Sequence, residues 1–393
     1  MTFPSLPLSY CTNVHPAATL VEVIDGLDTF AVPIRETSGG ELAVGLWLQQ
    51  SVIAELEADP SAIATLREAL TSRNLVCYTL NAFPYGDFHS ERVKDQVYLP
   101  DWSSPKRFAY TLACAKVLAQ LLPEDLQGSL STLPLGFKPH EPTGDFTSIC
   151  IRQLLDLAVA LDELHDTTGR VIRLAIEPEP MCVLETTDEA IAFFEQLFKQ
   201  AEERGVLSEA RQHLGLCYDV CHQAVEFEAA GQAISQIERA GIRINKVHLS
   251  CAIDARNPLD EAVRAALKSY IEPRYMHQTI ARCMSGDRQE SGFVRFADLS
   301  EEFLASPPLE FKEAKTWRVH YHVPISEKEI GPLFTTRPDL EEALAAVKLL
   351  PYAPHLEVET YTWNVLPGQP RTDAVIAGLA KELQTAYALV APK

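Results

Sequence analysis

Along this chain, short stretches in which apolar and polar side chains alternate every second residue are separated by longer stretches with apolar residues at helical spacing. The clearest alternating stretch is LGLCYDVCH, Leu214 to His222. At the period of a strand, Leu214, Leu216, Tyr218 and Val220 point one way, and Gly215, Cys217, Asp219 and Cys221 the other. An apolar face backed by a small and polar one suits a strand of a β/α barrel, where helices cover the outside and the lumen receives the rest. Asp219 then opens at the C-terminal mouth, the end at which such barrels do chemistry.

The same alternation recurs along the chain. PLSYCTNVHP, 7 to 16, sets Ser9, Cys11, Asn13 and His15 on one face, and a helix over Val21 to Glu36 precedes LAVGLWL at 42 to 48. Ile53 to Ser72 reads as helical with a break or restart at Pro60, and LVCYTLNAFPYGDFH, 75 to 89, as a strand entering a polar and aromatic loop. Pro105 to Leu122 is helical, GSLSTLPLGF is strand four, and Thr147 to His165 is the next helix. Strand five, VIRLAIEPEP, turns Arg173, Ala175, Glu177 and Glu179 inward. TTDEAIAFFEQLFKQAEERG opens on capping residues and closes at Gly205. Strand six is the stretch around Asp219, with its helix over Glu226 to Gly241.

Strand seven, INKVHLS, points Lys246, His248 and Ser250 inward. From Cys251 to Thr316 the alternation lapses, which reads as an insertion with helices around Asp260 to Tyr270 and near Phe296 to Leu304, its EPRYMHQ in reach of the mouth. WRVHYHVPI, 317 to 325, alternates again, placing Arg318, His320 and His322 together. That makes nine strand-like stretches for eight places, so 317 to 325 is assigned to the connection after strand seven. HLEVETYTW closes the ring with His355, Glu357, Glu359 and Tyr361 inward, between helices 338 to 350 and Thr372 to Leu389. The expected architecture is α/β: one (β/α)8 barrel domain over 1–393, with the insertion 251–316 covering or flanking the mouth.

Composition narrows the function classes. At 393 residues and 47% hydrophobic content the chain buries a full core. A formal charge of −20 with no basic run speaks against a nucleic-acid partner. No apolar run is long enough for membrane insertion, and MTFPSLPLSYCTNVHP lacks the pattern of a secretory signal, so a cytoplasmic location is expected. Nine cysteines without paired spacings read as reduced core thiols.

Four strands thus deliver Glu177, Asp219, His248 and Glu359 to one end of one lumen. Carboxylates crowded without a counter-charge repel and are driven to protonate, so the group implies a shared proton or a bound divalent cation. Mixed oxygen and imidazole ligands suit manganese, zinc, iron, cobalt or magnesium without choosing among them. The competing reading pairs these residues with Arg173, Lys246 or Arg318 as lumen salt bridges. His222 is a candidate substrate contact or a helix-capping residue. His15, His89, His320 and His322 are further substrate-site candidates, as are Lys246 and Arg318 for an anionic group. Glu179 and Glu357 read as neighbours of the site, His140, His165 and His213 as solvated. Trp47, Phe83, Tyr85, Phe88 and Trp363 suit either a pocket floor or core.

With IEPEP, CYDVCH, KVHLS and VETYTW in place, the chain resembles the xylose-isomerase-like TIM barrels, a superfamily of sugar isomerases, epimerases and endonuclease IV-type repair enzymes. Within it, SYCTNVHP, NAFPYGDFH, VYLPDW, STLPLGFKP, EPRYMHQ, HYHVPI and HLEVETYTW resemble the metabolite traffic protein family called EboE nearly end to end. The resemblance implies a role in a small bacterial and algal operon that moves or processes a metabolite precursor, with other proteins of that operon as partners. By resemblance to the epimerases, Glu177, Asp219, His248 and Glu359 hold one metal and His222 meets the substrate. The long stretch after strand seven departs from those enzymes and leaves open whether His320 or His322 adds a second metal.

The expected activity is that of a metal-dependent isomerase or epimerase, in which Glu177 or Glu359 moves a proton next to a carbonyl of a small polar metabolite. The alternative is a metal-containing protein that binds a metabolite and hands it to a partner without chemistry. Fold alone does not separate the two.

Overall fold

The computed structural model describes residues 6–283, 292–368 and 371–391. The first five residues of the N-terminal stretch, and residues 284–291 of the expected insertion, lie outside the described residues.

Eight strand positions form a closed parallel barrel flanked by helices. In chain order they are Ser9–Cys11, Leu42–Trp47, the paired segments Leu75–Val76 and Thr79–Asn81, Gly128–Thr132, Ile172–Ile176, Leu214–Asp219, Ile244–Leu249 and His355–Val358. Ser9 pairs with Ala43 on one side and Glu357 on the other, so the first strand closes the ring. The third position is divided because both short segments run along Leu42–Trp47, joined by a two-residue break. Leu214–Asp219 and Ile244–Leu249 are buried on both faces, as a strand between lumen and helices must be.

Local chemistry accounts for the helix boundaries. The helical stretch over Pro60 does restart there: Asp59 ends Gln50–Ala58 and caps Pro60–Ser72, its carboxylate accepting from the Ser61 N–H at 2.9 Å. Thr187–Arg204 opens on a capping box between Thr186 and Glu189 and stops at Gly205, whose φ of 72° few other residues adopt at low cost. The segment expected as one helix from Val21 to Glu36 carries a π turn over Leu27–Ala31. Pro33 is the second residue of the helix that follows, and a wider turn relieves the clash between its ring and the preceding turn.

The largest departure from the sequence reading follows strand seven. The two expected helices are there, as Glu261–Lys268 and Glu301–Ala305, but in place of irregular chain around them Cys251–Arg256, Thr279–Cys283, Gly292–Phe296, Thr316–Val323, Glu329–Ile330 and Leu333–Thr335 form a second, antiparallel six-stranded sheet. Its first strand begins one residue after strand seven ends, at Ser250. Thr316–Val323 belongs to this sheet, which leaves His355–Val358 to complete the barrel. Three short α-helices also went unforeseen: Leu207–His213, Val220–Val225 directly after Asp219, and Leu309–Glu313. All nine thiols are free, and eight are buried. Among the described residues no helix is long and apolar enough to cross a membrane.

Candidate metal centre

Strand register builds the site. Asp219 lies opposite His248 across strands six and seven, and His248 lies opposite Glu357 across strands seven and eight. Glu177 and Glu359 each follow the last residue of a strand, where the chain leaves the barrel. Glu177, Asp219, His248 and Glu359 are all buried, and one ligand atom from each lies within 4.8 Å of the other three.

Three carboxylates converge on a single ring nitrogen. His248 Nδ1 is 2.8 Å from Glu359 Oε2, 3.0 Å from Glu177 Oε1 and 3.4 Å from Asp219 Oδ2. One N–H cannot serve three anionic oxygens, and Glu177 Oε2 and Asp219 Oδ2 find no hydrogen-bond partner among the described residues. Burial alone would strip the proton from His248, but the Cys217 sulfur and the Glu177 and Glu359 carboxylates around it reverse that and hold its pKa well above the usual value. Burial pushes Glu177 up to about 7, with Glu359 and Asp219 adding to the shift against His248. Glu359 stays below its ordinary value: His248 overcomes burial, and the Asn13 and Asn81 amides donate to Oε1 at 3.0 and 2.8 Å. A donor set of three carboxylates and one imidazole, short of positive charge and with buried oxygens unsatisfied, fits a divalent cation.

Glu177 and Glu359 of the cluster open onto a narrow cavity of about 60 Å³. Its walls are largely aromatic, with Phe83, Phe88, Tyr98, Tyr275 and Tyr361, while Asn13, Asn81, His222 and His320 add polar groups beside the carboxylates. Glu179 is the partner of Tyr98, whose hydroxyl donates at 2.6 Å, and Gln278 in turn donates to Tyr98 Oη at 3.0 Å. Tyr275, Met276 and His320 come from the chain of the second sheet and its connections, which therefore supply one wall.

The structure brings together some of the candidate side chains and separates others. His222 and His320 line the cavity, and His322 lies behind them, its ring centroid 5.4 Å from that of each. The helix-capping role expected as an alternative for His222 falls to Asp219, whose Oδ1 accepts from the His222 backbone N–H at 2.9 Å. Lys246, expected near substrate, is instead deeper in the lumen, fully buried, with its Nζ 2.7 Å from Glu357 Oε1. Arg318 is likewise spent elsewhere, on Asp339 and the Ala224 carbonyl. His15 stacks on Phe30 at 3.8 Å, and His89 lines a separate surface recess beside Trp47. His213 is not solvated but buried, its Nδ1 2.7 Å from the Ile172 carbonyl. Of the candidate aromatic floor, only Phe83 and Phe88 reach the cavity, while Tyr85 packs on Tyr110 and Trp363 donates to Glu382.

Sequence reasoning missed Asn13, Asn81, Tyr98 and Gln278. Asn13 already stood on the inward face of strand one, and that was the available signal. Gln278 ends EPRYMHQ, the segment expected within reach of the mouth, but it leads into Thr279–Cys283, a strand of the sheet that the alternation did not reveal.

No protein-family model matches the chain, and no curated protein is significantly similar to it. Among solved structures it is similar to the IolI protein with a bound zinc atom, at a TM-score of 0.50 and 11% identity, covering 98% of each chain. A xylose isomerase-like TIM barrel protein from Mycobacterium smegmatis in complex with magnesium gives 0.49 at 13% identity over 100% of both chains. A D-tagatose 3-epimerase-like protein gives 0.48 at 13% identity, covering 98% of this chain and 97% of that one. What the IolI likeness carries is the barrel itself.

Proposed function

We propose that this barrel is a cytoplasmic, divalent-metal-dependent isomerase or epimerase that moves a proton next to a carbonyl of a small, uncharged polar metabolite. The observation that carries the reading is the convergence of Glu177, Asp219 and Glu359 on His248 Nδ1 at the floor of an aromatic-walled cavity. Glu177, Asp219, His248 and Glu359 would hold the cation. When bound, it supplies Lewis-acid polarisation of substrate oxygens. Glu177 is the carboxylate suited to take and return the proton, because its Oε2 is buried with no hydrogen-bond partner among the described residues. Glu359, pinned by two amide donors, is the fixed charge. A zinc atom bound in the IolI barrel is in keeping with this reading.

Phosphorylated substrates fit poorly. Among the described residues lining the cavity, the one ammonium group is that of Lys94, and it is already held by Asp298 at 2.8 Å and by the Glu272 and Tyr275 carbonyls. The EboE resemblance adds the setting: processing a metabolite precursor alongside other proteins of one operon.

The test begins with metal analysis of wild type, Asp219→Asn and Glu359→Gln, followed by incubation with free aldoses and ketoses in deuterium oxide. Wild type is expected to carry metal and to place solvent deuterium at the carbon beside the carbonyl, and both variants to lose metal and exchange together. Metal-loaded protein that binds a metabolite tightly and returns it without deuterium would establish the binding-and-handover role instead.

A further inference from the structure

Away from the metal centre, a group of charged side chains meets where the second sheet lies against the barrel loops. We propose that Glu185 and Glu226 share one proton there under the guanidinium of Arg295, and that this pair is a pH-sensitive clasp holding the second sheet to the barrel. The clasp asks nothing of the metal centre, so it stands whether or not the barrel is an isomerase.

Arg295 sits on Gly292–Phe296, opposite Ile280 of Thr279–Cys283. Its Nε donates to Glu185 Oε1 at 2.6 Å and its Nη2 to Glu226 Oε2 at 2.5 Å. One guanidinium thus ties the sheet to two barrel loops, because Glu185 follows strand five and Glu226 follows the short helix after strand six. Lys138, from the loop after strand four, donates to Glu185 Oε2 at 2.5 Å and to Glu189 Oε1 at 2.8 Å. Three carboxylates therefore meet two cations, and the one in excess is buried. Glu226 is 4% exposed, and its Oε1 has no partner among the described residues. A buried carboxylate in excess of its counter-charges takes a proton. In its acid form Glu226 has the Glu185 carboxylate within hydrogen-bond reach, so the proton that removes the charge also joins the two side chains.

Burial and the Glu185 charge push the Glu226 carboxyl up to about 9, against the pull of Arg295. The other charged groups that face the pair have partners of their own. Glu189 takes Lys138 and the backbone N–H groups of Glu185 and Thr186, Glu228 takes Thr187, and His140 turns to Asp95. From the second sheet, Arg282 and Arg318 lie over the Phe227 ring, and Arg318 pairs with Asp339. The sign follows from these surroundings. Once the sheet opens, Glu226 meets water and titrates near its ordinary 4.5, so from there up to about 9 each opening releases a proton. The clasp is at full strength below that window and loosens as the pH rises through it. Thr279–Cys283 begins directly after Gln278, whose Oε1 meets His320 Nδ1 at 2.8 Å, and His320 lines the cavity, so opening reaches the cavity wall.

The experiment is hydrogen exchange on the full chain, read at the amides of Thr279–Cys283 and Gly292–Phe296 and corrected for the pH dependence of chemical exchange. In wild type the opening constant is expected to rise about tenfold per pH unit between pH 6 and 8, the slope for one released proton. Glu226→Gln keeps the shape of the acid form, donates to Glu185 and has no proton to release, so its opening constant should stay low and level. Arg295→Met should open about tenfold more readily than wild type at pH 6. Circular dichroism checks that this variant folds, and if it does not, the isosteric Glu226→Gln decides alone. A wild-type opening constant that changes less than about twofold over the range overturns the proposal, as does Glu226→Gln with the wild-type slope. Infrared difference spectra of wild type minus Glu226→Gln at pH 7 read the proton directly. A protonated carboxyl C=O band supports the shared proton, and its absence overturns it.

Discussion

Two layers of the same lumen hold the same kinds of side chain in opposite electrostatic states. In the deeper layer, Lys246 Nζ lies 2.7 Å from Glu357 Oε1, and Ser9 donates to Glu357 Oε2 at 2.7 Å. Lys246 and His248 overcome burial there and hold Glu357 down to about 2. One strand-turn nearer the mouth, three carboxylates share one imidazole, and Glu177 is pushed the other way. A barrel able to neutralise a buried carboxylate with lysine has left three of them short of positive charge where its cavity opens. The deeper pair is architecture; the imbalance above it is what a ligand completes.

The comparison breaks most visibly if the deeper layer is unbalanced. Lys246→Met leaves Glu357 buried without its cation and is expected to cost about 3–5 kcal/mol in urea unfolding. Lys246→Met with Glu357→Leu should recover most of that loss, since removing both charges together is nearly neutral. A single variant within about 1 kcal/mol of wild type would mean that this layer does not depend on its pairing.

Gly45 tests the same layer through shape. A Cβ built there falls 1.4 Å from Glu357 Oε2, so the missing side chain is what lets the carboxylate reach Lys246. Gly45→Ala should cost about 1–3 kcal/mol while leaving metal content unchanged. Loss of metal with stability intact would show that the two layers are not separable.

The base of the lumen offers a pH test. Burial pushes His355 down to about 3, and the Lys246 and Arg173 charges add to it. With a folded pKa below the unfolded value near 6.5, the unfolded chain takes up the proton first. Stability is therefore complete above about pH 6.5 and is lost as the pH falls, by about 1.4 kcal/mol per unit down to the folded pKa. His15, also held near 3 by burial and His89, contributes with the same sign. His355→Gln should flatten the fall between pH 6.5 and 5; an unchanged slope would assign it to other groups.

The balanced and unbalanced layers were not equally legible in the sequence. Alternation on strands five to eight located Glu177, Asp219, His248 and Glu359 because a barrel strand has only two faces, and an inward carboxylate at its end has one destination. Alternation does not report depth. Lys246 and His248 share a face and differ by one layer, so Lys246 was placed with the substrate when it belongs to Glu357. The second sheet was hidden for another reason: its strands pair with partners distant in sequence, such as Cys251 with Val323, and no periodicity within one segment reveals that. His320 and His322 were read on one face, correctly as neighbours, but their position over His222 depended on that unseen sheet. Arg318 shared their face on paper, and a register shift between Val319 and Val323 sends it to Asp339 instead.

The smallest effect is the most discriminating, because its sign differs from that of Lys246→Met. Glu177 is a buried carboxylate whose charge the metal-free fold disfavours, so a neutral side chain of the same shape should relieve the folded state. In the presence of chelator, Glu177→Gln is expected to stabilise the protein against urea by about 1 kcal/mol near neutral pH, below the full value of its raised pKa because the neighbouring charges readjust. With zinc or manganese restored the order should reverse, since wild type gains the free energy of binding and the variant does not. Stabilisation without chelator but not with it would contradict the assignment. Destabilisation in both would place Glu177 with Glu357, as a structural carboxylate whose partner already lies in the fold.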